Sequence, residues 1–403
     1  MINERVIPVI PERGSVGASG DLVPLCYLAN AIIGAGEVRW RGRTMDMEKV
    51  RAELGWEPIR LEAKDGLALI NGTSFSSGFA VLALADAERM ATIAEVATAM
   101  ASESLLGNRG HFAPFIFTAK PHPGQAQAAK HIYEILADSH LAMDHSQVVD
   151  INDELADKKF QKLTRSVQDR YSIRCAPHII GVLRDTIDWA SEWLRLEINS
   201  SNDNPLFSVE DGEVYSGGNF YGGHVTQAMD ALKAAVANIA DLLDRQLALL
   251  VDERFSNGLP TNLAPLAAGD ETEAGLHHGF KGMQLACSAI TAETLKATMP
   301  ASVFSRSTES HNQDKVSMSA IAARDARSVL RLCEEVAAIH LLAGAQGIEL
   351  RGVESASTAT RRVHDKIREK SPFVGEDRSL QADIDAVLEE LRTNGFINAE
   401  WAK

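Results

Sequence analysis

Val225, Met229, Leu232, Val236, Ile239, Leu243, Leu247 and Leu250 follow one another at intervals of three or four residues. That spacing lines them along one stripe of an α-helix and scatters them over both faces of a strand. A helix over this stretch is about 39 Å long at 1.5 Å per residue, well beyond the usual three turns or so. So long a stripe needs partners of similar length, which commits the chain to a mainly α fold, an elongated bundle of long helices. The scarcity of aromatics, 6% of residues, also favours helices packed through small side chains over a β-sandwich.

Other segments fit the same architecture. A long Ala-rich helix is expected after Asn71-Gly72-Thr73-Ser74, running to about Leu106, with Thr73 or Ser74 as N-cap. Further helices are expected over roughly 275–298, 314–350 and 380–392, the last with Ser379 as N-cap and Gly395 beyond its end. Gly and Pro punctuate residues 8–24 as a loop, followed by a short apolar run from Leu25 to Ala35. A small β-like excursion at 38–42 turns at Gly42. The charged stretch from about His145 to Val167 reads as a mobile connector. One domain over 1–403 is expected: a loop region at 1–75 with a small mixed segment, a long-helix bundle at 76–355, and a helical cap at 356–403.

The formal charge of −15 argues against nucleic acid or an anionic membrane as the main partner. Cys26, Cys175, Cys287 and Cys333 lie far apart without a CxxC pair, which suggests reduced thiols in a cytoplasmic protein. The opening residues show no basic start followed by an apolar run, so no signal peptide is expected. The histidines form no HExxH, and no metal is assigned.

The stretch that carries chemistry is Gly-Ser-Val-Gly-Ala-Ser-Gly-Asp-Leu at 14–22. Small residues on both sides of Ser19 permit a tight backbone turn. Gly20 has no side chain, so its amide nitrogen can approach the carbonyl carbon of Ala18. Attack there, with loss of two waters, one of them carrying off the Ser19 hydroxyl, leaves a 4-methylidene-imidazol-5-one ring, an electrophile built without an external cofactor. A glycine-rich loop that merely turns the chain or holds an anion is the plainer alternative on spacing alone.

The segment resembles the signature of the aromatic amino acid ammonia-lyases and aminomutases, the family of the histidine, phenylalanine and tyrosine ammonia-lyases. Further blocks of the resemblance follow in order: Asn-Gly-Thr at 71–73, Lys-Pro-His-Pro-Gly-Gln at 120–125, Gln-Asp-Arg-Tyr-Ser-Ile-Arg-Cys at 168–175, Ser-Asn-Asp-Asn-Pro at 201–205, Gly-Gly-Asn-Phe at 217–220 and His-Asn-Gln-Asp-Lys-Val-Ser-Met at 311–318. The resemblance implies a methylidene-imidazolone formed from Ala18, Ser19 and Gly20, and a homotetramer whose active sites draw on several subunits.

It also implies residue roles. Arg174 matches the arginine that holds the substrate carboxylate, a task suited to the bidentate guanidinium. Tyr171 and Gln168 match residues facing the electrophile, and Asn71 matches an asparagine beside the ring and the bound amino acid. Phe220 matches an aromatic residue next to the ring. Glu309 matches a carboxylate near the substrate amine. Histidine ammonia-lyases place a glutamate where Gln313 stands, whereas Gln313 with Asn312 is similar to the phenylalanine and tyrosine enzymes.

The expected activity is therefore elimination of ammonia from an aromatic L-amino acid, tyrosine or phenylalanine, to give an arylacrylate. A 2,3-aminomutase, a histidine lyase and an inactive helical oligomer subunit are the alternatives. The resemblance further implies a helical segment ahead of the Ala-Ser-Gly motif, bearing a tyrosine base. The chain is accordingly expected to be an N-terminally truncated member with little turnover by itself.

Overall fold

The computed structural model describes residues 1–148, 167–265 and 275–396. The fold is mainly α, as the periodicity predicts. In chain order the helices are α1 (Leu22–Ile32), α2 (Met47–Leu54), α3 (Asp65–Ile70), α4 (Ser74–Ser104), α5 (Pro114–Ala119), α6 (Pro123–Ile135), α7 (His145–Val148), α8 (Tyr171–Arg174), α9 (Ala176–Ile198), α10 (Gly223–Val251), α11 (Lys281–Lys296), α12 (Ser319–Arg351), α13 (Thr358–Arg368) and α14 (Gln381–Arg392). Strands β1 (Ile7–Pro8), β2 (Glu37–Trp40) and β3 (Arg43–Asp46) form one antiparallel sheet, and β4 (Leu206–Phe207) pairs with β5 (Val214–Tyr215).

Two compact units divide the chain. The first comprises Met1–Leu84, Trp189–Leu232 and Met299–Arg327. Its three-stranded sheet contains the excursion read from the sequence, turned at Arg41 and Gly42, both with positive φ. Strand β1, which the sequence did not signal, adds to β2 through Ile7↔Arg39 and Pro8↔Val38. Val6, Ala31, Val38, Trp40, Met47 and Val50 form a core beneath it.

The second unit comprises Ala85–Asp188, Lys233–Thr298 and Ser328–Lys403. Every residue from 90 to 105 of the chain is buried, so this part of α4 has no solvent face. Its alanines allow close packing, and fully burying each larger residue such as Met90, Ile93 or Met100 contributes about 1.5–3 kcal/mol. Elsewhere in this unit α9 meets α6 so closely that a Cβ on Gly181 would lie 2.4 Å from the Gln125 Cα. Only glycine fits that contact.

Charge also enters this core. The Glu95 carboxylate, 1% exposed, accepts from Arg184 Nε and Nη2, both at 2.7 Å, and meets His131 Nδ1 at 3.0 Å.

Helix α4 starts at Ser74 as the pattern predicts, while other helix starts differ from it, each for an identifiable reason. Thr73 donates its hydroxyl to Glu197 Oε1 at 2.6 Å, and the first turn of α4 is instead held by Asp21, whose Oδ2 accepts from Ser76 N at 2.8 Å. Helix α12 begins at Ser319 because Met318 has φ +67 and gives its N–H to Val16 O at 3.0 Å. Helix α11 begins only at Lys281: the His278 and Gly279 N–H groups go to the Asp377 carboxylate, and Gly279 has φ +48. Leu380, without a side-chain cap bond, stands at the start of α14 in place of Ser379. Most of the charged connector lies outside the described residues. Among those described, no helix is long and apolar enough to cross a membrane.

Candidate active site

In the first unit the glycine-rich loop is folded back on itself. Ser19 has φ +47 and Gly20 φ +81, two consecutive left-handed residues. Gly20 and Gly72 form a parallel bridge, with Gly72 N donating to Ser19 O at 3.0 Å and Asp21 N donating to Gly72 O at 2.7 Å. A Cβ on residue 20 would sit 2.0 Å from Gly72 O, so no other amino acid fits there. The Asn-Gly-Thr block is thereby brought directly against Ala18-Ser19-Gly20.

Asp21 fixes the far side of the loop. Its Oδ1 accepts from Ser15 Oγ at 2.7 Å while Oδ2 holds the Ser76 N–H, so one carboxylate joins the loop to the start of α4. Burial raises the Asp21 carboxyl above its ordinary value, and the hydrogen bonds from Ser76 and Ser15 offset only part of that rise. Ser15 Oγ also accepts from Gly17 N at 3.2 Å.

Gln313 reaches Ser19 itself: its Nε2 donates to Ser19 Oγ at 2.8 Å. The carboxamide is oriented by Thr308, whose Oγ1 donates to Gln313 Oε1 at 3.2 Å across the antiparallel Thr308↔Gln313 bridge. Between them Glu309, Ser310 and His311 all have positive φ, a strained bulge that turns Glu309 and Asn312 outward into exposed positions. Phe220 is half-buried and directly precedes Tyr221-Gly222, where a Cβ on Gly222 would press on Ser319 Oγ at 2.8 Å.

Asn71 is buried, and its Nδ2 donates to Asp203 Oδ1 at 3.0 Å and to Asn204 O at 3.1 Å. Asp203 is paired in turn with Lys64 Nζ, which also donates to Pro205 O at 2.8 Å. Burial would raise the Asp203 carboxyl, but hydrogen bonds from Lys64, Asn71 and the Asn204 N–H outweigh it and hold the group below its ordinary value.

In the second unit the 168–175 block forms one cluster. Arg174 Nη1 donates to Gln168 Oε1, and the guanidinium lies 4.7 Å from the Tyr171 ring centroid. Arg174 Nε is buried without a partner, and Tyr171 is 70% exposed. The block is pinned by Gln246 Nε2, which donates to Ser172 O and to Thr98 Oγ1, both at 2.9 Å. Asp169 anchors its other end, accepting from Asn108 N at 2.8 Å and donating its own N–H to His111 Nε2 at 3.1 Å.

The structure thus gathers Ala18, Ser19, Gly20, Asn71 and Gln313 in the first unit, and Gln168, Tyr171 and Arg174 in the second. Glu309, Asn312 and Phe220 belong to the first unit without a hydrogen bond to the tripeptide. Sequence reasoning passed over Asp21, Asp203 and Lys64. The two aspartates stand inside motifs that it quoted, while Lys64 carries no sequence signal.

The aromatic amino acid lyase family model matches residues 1–369. A histidine ammonia-lyase of Gloeobacter violaceus is 39% identical over 400 residues, covering 99% of this chain and 73% of that protein. The MIO-dependent tyrosine 2,3-aminomutase of Streptomyces globisporus is 38% identical over 408 residues, covering 99% and 73%. The crystal structure of tyrosine aminomutase from the same species superposes with a TM-score of 0.92 at 37% identity, covering 98% of this chain and 74% of that one. The chain belongs to the aromatic amino acid lyase family and is an enzyme of the carbon–nitrogen lyase kind.

Proposed function

We propose that the protein eliminates ammonia from an aromatic L-amino acid, tyrosine or phenylalanine, to give an arylacrylate, with Ala18-Ser19-Gly20 cyclised to a methylidene-imidazolone. The observation that carries this reading is the left-handed turn at Ser19 and Gly20, held against Gly72 with space for no side chain at position 20. These residues fit an intramolecular ring: the turn is locked from both sides, and Gln313 binds the hydroxyl that has to leave. The ring supplies the electrophile that makes the substrate amine a leaving group.

The remaining roles belong to the chain's own side chains. Arg174 is assigned the substrate carboxylate, which its guanidinium can bind through two parallel hydrogen bonds, with Tyr171 and Gln168 setting its orientation. Asn71 and Phe220 are assigned to the bound amino acid, and Glu309 and Asn312 to its surroundings. The neutral Gln313 brings no negative charge toward the substrate, which suits a phenyl or phenol ring better than an imidazole. An oligomer, a tetramer by the family resemblance, is part of the same proposal.

Histidine as substrate is the second reading, favoured by the similarity to the Gloeobacter histidine ammonia-lyase. The tyrosine aminomutase similarity favours a third outcome, re-addition of ammonia to give a β-amino acid. Intact-protein mass tests the electrophile, since cyclisation removes two waters. Incubation with L-tyrosine, L-phenylalanine and L-histidine, followed by chromatography, separates arylacrylate, urocanate and β-amino acid. An uncyclised mass from folded protein overturns the proposal.

A further inference from the structure

Asn71 hangs its carboxamide beside the strand-like contact that holds Ser19 and Gly20, because the next residue, Gly72, makes that contact. Both hydrogens of its NH2 are already committed, one to Asp203 Oδ1 and one to Asn204 O. Asp203 is held as a carboxylate by three donors, and an ionised carboxylate can only accept. Its partner Lys64 adopts φ +76, a left-handed conformation uncommon for lysine, immediately before α3. A strained residue whose side chain makes an ion pair, a bond to Pro205 O and a 5.6 Å approach to the Phe207 ring centroid is over-determined by its surroundings.

We propose that Lys64 and Asp203 are positioning residues for the lyase reaction. Their ion pair fixes the Asn71 carboxamide so that it offers its oxygen, an acceptor matched to the substrate amine, and no N–H. The inference rests on the function proposed above, which gives Asn71 its place beside the substrate. The hydrogen-bond polarity at residue 71 is thus set by the acceptors around it, the Lys64-held carboxylate and the Asn204 carbonyl, rather than by Asn71 itself.

The polarity makes an unusual genetic prediction. In Asp203→Asn the Lys64 ammonium claims the new amide's oxygen, which turns the NH2 of residue 203 toward Asn71. The Asn71 carboxamide is then pulled toward the rotated orientation, presenting N–H instead of oxygen, against the opposing hold of the Asn204 carbonyl. Adding Lys64→Met frees residue 203 to rotate back. The expected result is a fall in kcat/KM of about tenfold to a hundredfold in D203N, with most of it regained in the K64M/D203N double variant and an unchanged loss of two waters in both. A purely structural role gives the opposite ordering, with the double variant worse than either single one.

If wild-type protein turns over and the double variant shows no recovery, the positioning role is overturned while the lyase reading stands. If wild type neither cyclises nor turns over, the lyase reading itself fails. A neutron diffraction map of wild-type crystals decides the geometry without turnover or a folded variant: Asn71 oxygen, rather than NH2, facing Asp203 overturns the inference.

Discussion

Gln313 Nε2 donates to Ser19 Oγ at 2.8 Å across 294 positions of sequence. The bond joins the residue on which the proposed substrate choice rests to the hydroxyl that the proposed cyclisation removes. Replacing the amide by a carboxylate keeps the contact before cyclisation, with Ser19 then the donor, and in the cyclised enzyme, from which that hydroxyl has gone, it leaves a negative charge beside the ring. Gln313→Glu is therefore expected to raise the ratio of kcat/KM for histidine over tyrosine by on the order of tenfold, equivalent to about 1.4 kcal/mol. Parallel assays of urocanate and coumarate formation check it, and an unchanged ratio removes Gln313 from substrate choice.

Gly20→Ala places a methyl group 2.0 Å from Gly72 O at a residue with φ +81. Backbone has to move to relieve the clash, and the loop then loses its left-handed turn. The variant is expected to be destabilised by roughly 1–3 kcal/mol and to keep its full uncyclised mass. Urea unfolding and intact mass spectrometry read the two effects separately.

His340 tests the pH dependence of the second unit. It is fully buried in α12, neither ring nitrogen has a partner, and burial lowers its pKa to about 3. The unfolded chain therefore takes up a proton as pH falls through about 6.5 while the folded protein does not. Stability present above that pH is lost progressively down to about 3. His340→Leu removes the titrating group, so the difference in unfolding free energy between pH 7 and pH 4.5 is expected to shrink by on the order of 2 kcal/mol. Denaturant titrations at the two pH values check this.

Arg184→Met leaves the buried Glu95 carboxylate with His131 alone. An uncompensated charge in a helical core costs about 3–5 kcal/mol. The double variant Glu95→Gln with Arg184→Met is expected to regain much of that loss, and urea midpoints of the four proteins give the coupling directly.

The long helices were legible because a stripe such as Val225 to Leu250 has one physical explanation. Their ends were less so. Helix α11 starts late because Asp377, almost a hundred positions away, takes the N–H groups of His278 and Gly279, and no local window contains that information. Likewise the start of α4 depends on Asp21 rather than on the neighbouring Thr73. Within the site, the tripeptide and Gln313 were visible as motif residues. Lys64 was invisible, since a lysine in a polar stretch looks like any solvated side chain until Asp203 folds onto it.

The loop around Ser19 borrows its shape from distant parts of the chain: Gly72 on one side, Gln313 and Met318 on the other. During synthesis the first of these partners leaves the ribosome soon after the loop, but the last only when most of the polypeptide has been made. A nascent chain halted before residue 313 would lack the side chain that donates to the Ser19 hydroxyl. On the proposed function, the turn that would close into the ring is therefore complete only once residues as far along as Met318 have been made.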